Sequence, residues 1–316
     1  MATWATLPGS RAGARSSGSF WLRVASLIGA GQRRPYVLFV LPAMAIIAAV
    51  IIFPWFFTLF MSVHDWKITQ GRSFVGLDNY AQLFGDERFQ WALLRTLYYT
   101  LLAVLAPLIL GTLAALVFHR KFPLRGFLRG VFILPMMATP VAVALVWTMM
   151  FHPQLGVLNY ILSLVGIPPQ LWVFDPGTVI PSLVLVETWQ WTPLVMLIVL
   201  GGLAALPTEP YEAAQLDGAS AWQTFWRITF PMVLPFLMVA AIIRTIDAVK
   251  AFDIIYVISQ GGPGTASETL NIFLYLQAFA FYNIGYASAV VVVFFALIIA
   301  LSLVLLYVRQ RSKWSP

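Results

Sequence analysis

The residues best placed to do chemistry in this chain are the few polar ones stranded in long apolar runs. Glu187, Gln190, Trp191 and Leu194 are spaced i, i+3, i+4, i+7, so on a helix they share one face. Arg244, Asp247, Lys250 and Asp253 recur every three residues with alternating sign. A charge at the centre of a bilayer costs roughly 2.5–3.5 kcal/mol on insertion scales, so such groups must face protein or water. An alternative reading makes Arg244 with Asp247, and Lys250 with Asp253, self-neutralising i,i+3 pairs that buttress the fold. By the same token Trp189 and Trp191 could be ordinary packing or an interfacial belt. The sequence offers no catalytic residues and no metal set. Cysteine is absent, and His64, His119 and His152 are isolated from one another.

A second polar feature is the stretch Tyr211-Glu212-Ala213-Ala214-Gln215-Leu216-Asp217-Gly218-Ala219, which lies between two apolar runs. Thr208 suits an N-cap, and Glu209 and Pro210 suit a first turn, where a carboxylate and a missing N–H are both tolerated. Gly218 ends that helix, because glycine readily takes the left-handed conformation. Ser220-Ala221-Trp222-Gln223 matches a capping box and opens a second helix, which Pro231 and Pro235 are expected to break or kink. Phe225, Trp226, Ile228 and Phe230 give this second helix an apolar surface. On physics alone, a knob offered to a partner and a merely capped connection stand about equal.

The elements that must position these groups are membrane helices. The 316-residue chain is 60% hydrophobic and only 10% charged, with mean hydropathy +0.85, whereas soluble domains carry about 25% charged residues. Residues 36–63, 96–118 and 130–151 contain no Asp, Glu, Lys or Arg; 176–208 contains only Glu187, and 269–308 contains none. Each is long enough for a spanning helix. Residues 228–243 span only if the helix continues through the charged 244–250 segment. Residues 269–285, rich in Tyr, Phe and Asn, suit an interfacial helix, and 286–308 suit a span. The expected fold class is therefore an all-α polytopic membrane protein with six transmembrane helices, since helices satisfy their backbone groups internally. The first run starts too late and runs too long for a signal peptide.

The positive charges report topology, and nucleic-acid binding is not expected. Arg11, Arg15, Arg23, Arg33 and Arg34 precede the first run; Arg120, Lys121, Arg125, Arg129, Arg227, Arg309, Arg311 and Lys313 fall on the same side. The opposite-side loops hold only Lys67, Arg72, Arg88 and Lys250. This bias puts both termini and the 209–227 loop in the cytoplasm. Residues 1–35 read as a basic, mostly disordered tail, 36–310 as the transmembrane domain with its loop at 208–230, and 311–316 as a C-terminal tail.

The pattern Glu212-Ala213-Ala214-x-x-Asp217-Gly218-Ala219, with Ile228 and Pro231 following, resembles the cytoplasmic signature of permease subunits of bacterial ATP-binding-cassette importers. Leu41-Pro42, Phe74-Val75-Gly76-Leu77-Asp78-Asn79-Tyr80, Phe252-Asp253-Ile254-Ile255-Tyr256, Gly261-Gly262-Pro263 and Gly285-Tyr286-Ala287-Ser288-Ala289 are similar to the carbohydrate-importing, maltose-type branch. The resemblance covers about residues 36–310 and implies several partners. These are a second homologous permease (a heterodimer), two copies of a cytoplasmic ATPase that receive the loop helix, and an extracytoplasmic binding protein that delivers a sugar-like substrate in the bacterial inner membrane. No lysine follows a glycine, so the chain has no G-x-x-x-x-G-K-[ST] motif. The resemblance therefore implies no cofactor in this chain, with ATP and magnesium bound by the ATPase. It also implies sugar contacts from Glu187, Gln190, Trp191, Leu194, Ile246, Asp247 and Lys250. Charges stand at several of these positions where the family shows asparagine. Through Lys250 and Arg244 they point to an acidic or phosphorylated polyol as an alternative substrate. A stand-alone secondary transporter is the remaining alternative.

Overall fold

The computed structural model describes residues 34–67 and 71–311. The two expected tails lie outside the described residues, apart from positions 34, 35 and 311. The chain divides into two units, Met1–Phe57 and Thr58–Pro316. The first holds α1 (Arg34–Ile47), a widened π-helical turn (Ala48–Ile52) and the start of α2 (Phe53–Ser62). No residue from 40 to 60 is buried. A helix that is apolar all round and bare needs lipid or another chain against it.

In the second unit a short hairpin follows, with β1 (His64–Lys67) antiparallel to β2 (Gly71–Phe74) and His64 opposite Phe74. The turn at Gly76 leads as expected into a short helix, α3 (Asp78–Gly85). Asp86 then caps α4 (Glu87–His119), its carboxylate accepting from the N–H groups of Arg88 at 2.8 Å and Phe89 at 3.4 Å. This cap is why α4 starts well before the charge-free run at residue 96.

The single spanning helix expected over 130–151 is corrected. It is two helices, α5 (Arg125–Met137) and α6 (Pro140–Met150), bent by 97°. Pro140 has no N–H to donate and drives Thr139 into the extended region, at φ −67° and ψ 141°, so the chain breaks there. Beyond α7 (Val157–Leu164), whose Tyr160 and Leu164 are exposed, comes α8 (Val179–Ala204), the most buried of the long helices. Leu183, Val186, Val195, Met196 and Val199 on α8 are fully buried. Tyr99 and Ala103 of α4 and Val143 and Trp147 of α6 complete one core cluster, and Ala115 of α4 belongs to a second.

The loop holds α9 (Glu209–Leu216) and α10 (Ala221–Thr224), and α11 (Phe230–Val249) follows after a π-turn at Phe225–Thr229. The helix is not broken at Pro231; it runs continuously over Ala221–Val249. The π-turns at Ala48–Ile52 and Phe225–Thr229 each end two residues before a proline, Pro54 or Pro231. A widened turn relieves the clash of the proline ring with the carbonyl one turn earlier. The span expected from residue 228 therefore extends through Arg244 and ends at Val249.

Asp253 is not on that helix. It opens α12 (Asp253–Ile258) after a break at residues 251–252, so the expected i,i+3 pair of Lys250 with Asp253 does not form. The interfacial helix expected near residue 269 is α13 (Leu270–Tyr275), continued by a π-turn to Ala280. Its Leu270, Ile272 and Phe273 are fully buried in protein. The last span is α14 (Ile284–Arg311). Gly285 at its start lies so close to β1 that a Cβ would sit 2.0 Å from the His64 carbonyl oxygen. Tyr286 donates to Asp86 at 2.8 Å, and Asn79 donates to the carbonyls of Ser62 at 2.9 Å and His64 at 3.0 Å. Residues 74–80 and 285–289 thus form one packed corner. Arg88 closes it with a two-pronged ion pair to Glu268 at 2.8 Å.

Candidate functional site

Two regions collect the polar residues singled out in the sequence, and α8 connects them. From Glu187 to Leu203 it rises about 24 Å.

At the C-terminal end of α8, α9 is built as a short exposed rod. Thr208 occupies the N-cap, but its hydroxyl makes no cap. Its backbone carbonyl accepts from Tyr211 at 3.0 Å and Glu212 at 3.1 Å. Gly218 has φ +70°. The Ala219 N–H donates back to the Ala214 carbonyl at 2.9 Å and the Gly218 N–H to the Gln215 carbonyl at 3.1 Å, the two bonds of a Schellman terminus. In that geometry Ala214, Gly218 and Ala219 act as a unit: Ala214 is buried, and Gly218 supplies the left-handed turn. The capping box of Ser220 with Gln223 is present in both directions. Glu212, Ala213, Asp217 and Gly218 are exposed, and Leu216 is 90% exposed. Trp222 and Trp226 add exposed aromatic surface beside them.

In the outer half of the polar pattern, Glu187 and Arg244 form a buried ion pair at 2.8 Å, linking α8 to α11. The expected local pair of Arg244 with Asp247 is replaced by this long-range one. Tyr99 on α4 donates to the other Glu187 oxygen at 3.0 Å. The Arg244 guanidinium also reaches the Ala103 carbonyl at 3.5 Å and lies over the Trp191 ring, 4.9 Å from its centroid. Three helices therefore meet at one neutralised charge pair. Asp247 and Lys250 pair more loosely, at 3.8 Å and about half exposed. Glu187, Trp191, Arg244, Asp247, Lys250 and Asp253 all line one cavity of about 300 Å³.

The remaining expected path residues are placed differently. Gln190 is almost fully buried and donates to the Ala138 carbonyl at 3.1 Å, which ties α8 to the break between α5 and α6. Leu194 and Ile246 are half-buried and do not line the cavity. Sequence reasoning missed Tyr99, because nothing in Tyr98-Tyr99-Thr100 marks which residue faces inward. It also missed the role of Phe252 as a wall of the cavity. Among the described residues, no group of three His, Asp or Glu could hold a metal ion.

The family described as "Binding-protein-dependent transport system inner membrane component" matches residues 107–314. The trehalose/maltose transport system permease protein MalF of Thermococcus litoralis is 35% identical over 280 residues, covering 87% of this chain and 94% of that protein. The chain belongs to this permease family. Another member, the sulfoquinovosyl glycerol transport system permease protein SmoG of Agrobacterium fabrum, is 32% identical over 285 residues, covering 89% and 92% of the two chains. A permease chain of a bacterial importer of the acidic polysaccharide alginate shares the fold, with a TM-score of 0.78 at 21% identity over 92% of this chain and 99% of that one. As a binding-protein-dependent permease, the chain is a multi-pass membrane component of a transport system.

Proposed function

We propose that the chain forms half of the translocation path for a neutral sugar or sugar-like solute in an ATP-driven importer. A second, homologous permease supplies the other half. Two copies of a separate ATPase bind ATP and magnesium and receive α9, and an extracytoplasmic binding protein delivers the solute. The charge bias of the loops supports cytoplasmic termini and a cytoplasmic α9, in a bacterial inner membrane.

The observation that carries this reading is the rigid link between the two regions. One buried helix, α8, ends at an exposed, self-terminated rod and carries a polar cavity about 24 Å away. Displacement of the rod by an ATPase would be felt at the cavity through α8 and α11, which the Glu187 and Arg244 pair clamps together.

The cavity's charges favour a neutral solute over an acidic one. Its two cations, Arg244 and Lys250, face three carboxylates, Glu187, Asp247 and Asp253. Arg244, the buried cation, is already engaged by Glu187. An acidic solute would have to displace that carboxylate at a large desolvation cost.

Reconstitution tests the reading. With the partner permease, the ATPase and the binding protein in liposomes, uptake of a neutral sugar should require ATP and should be lost in Glu212→Ala. Uptake by this chain alone, driven by an ion gradient, would make it a secondary transporter instead.

A further inference from the structure

Beside the cavity stands an array of aromatic rings that the path described above does not use. Phe252, a wall of the cavity, stacks on Tyr256 with centroids 5.0 Å apart and planes 13° from parallel. Tyr275 from α13 lies 5.2 Å from Phe252 and 4.9 Å from Tyr256, and Phe279 lies 5.2 Å beyond it. Phe252, Tyr256 and Tyr275 are only half-buried, and Phe279 is 66% exposed. The array belongs to the segment between α11 and α14, outside the spanning helices.

We propose that this array is a second sugar subsite, continuous with the cavity through Phe252, so that the solute carries at least two sugar rings. The proposal rests on the sugar reading above.

The chemistry follows from ring shape. A pyranose ring presents one C–H-rich face, which packs on an aromatic plane, and a rim of hydroxyls, which need donors and acceptors. The array supplies both. Phe279 is largely exposed and the other three rings partly so, and the Tyr256 hydroxyl donates to that of Tyr275 over 3.3 Å, leaving both oxygens capacity for further bonds. The part of the cavity that this chain encloses, about 300 Å³, lies at the small end of ligand pockets. Phe252 and Tyr256 also pack against a core cluster, but all four rings keep exposed area that a fully packed core would cover.

The test uses the complete transporter, both permeases with the ATPase, purified in detergent without binding protein. Equilibrium binding of glucose, maltose, trehalose and maltotriose is measured for the parent, Tyr275→Leu, Phe252→Leu and Asp247→Ala, with thermal stability alongside. Tyr275→Leu should weaken binding of maltose, trehalose or maltotriose at least fivefold and of glucose less than twofold. Phe252→Leu, at the wall shared with the cavity, and Asp247→Ala should weaken every sugar that binds. In Tyr275→Leu, equal loss for glucose and the longer sugars, or no loss with binding retained, would overturn the subsite and leave the sugar reading standing. So would intact sugar binding with loss of ATPase stimulation by the binding protein, which would make the array a protein-docking surface. If none of the sugars binds the parent, the sugar reading itself fails and the subsite with it.

Discussion

The α9 loop and the cavity solve opposite problems with polar residues. In the loop, the backbone is satisfied by its own terminus and capping box, and the side chains of Glu212 and Asp217 stay open to solvent. At the cavity, Glu187 and Arg244 are buried, so these side chains must satisfy one another. Glu187 is met by Arg244 and Tyr99 from two other helices. The exposed motif leaves its side chains open to solvent, whereas the buried one uses its chemistry to hold helices in register.

That contrast predicts large stability losses from the buried ion pair and small ones from the loop. Glu187→Ala leaves Arg244 buried without its counter-charge and should cost about 3–5 kcal/mol, seen as a large fall in thermal stability of the purified complex. Replacing both partners, Glu187→Leu with Arg244→Met, should recover most of that loss. If Glu187→Ala melts like the parent, the buried clamp is wrong. Ser220→Ala removes one direction of the capping box and should cost about 1 kcal/mol, a modest shift on the same thermal scan, with the fold retained. Asp247→Ala breaks only a half-exposed pair and should cost under about 1 kcal/mol, yet it should change the uptake rate measured in proteoliposomes. A stability loss for Asp247→Ala as large as that for Glu187→Ala would erase the distinction between the two pairs.

The same contrast explains what could be read from the sequence. The loop was legible almost residue by residue, since Gly218, Ser220 and Gln223 act on backbone groups a few positions away. The cavity was legible only as a set of misplaced polar residues. Their partners are set by helix packing, so Arg244 reached Glu187 across 57 positions of sequence rather than Asp247 across one helical turn. Gln190 was read as a path residue by its spacing, but its amide is held by the carbonyl that the break before Pro140 exposes. Hydropathy could not show that break, because the run of residues 130–151 carries no charge on either side of it. The hairpin of β1 and β2 was also hidden: strands of four residues carrying Asp65 and Lys67 have no clear alternation, and contact with Gly285 supports them from far along the chain.

The central claim, that α9 is the point where a separate ATPase drives this path, is tested most directly at Gly218. A Cβ there would meet nothing within 4 Å in this chain, and aspartate is among the residues that tolerate a left-handed backbone. Gly218→Asp should therefore fold and assemble, and any loss must arise at the docked partner. ATP hydrolysis and sugar uptake are measured together in liposomes holding the complete Gly218→Asp transporter. The account predicts normal assembly with uptake abolished and hydrolysis no longer stimulated by the loaded binding protein. Normal uptake with normal stimulation would contradict it.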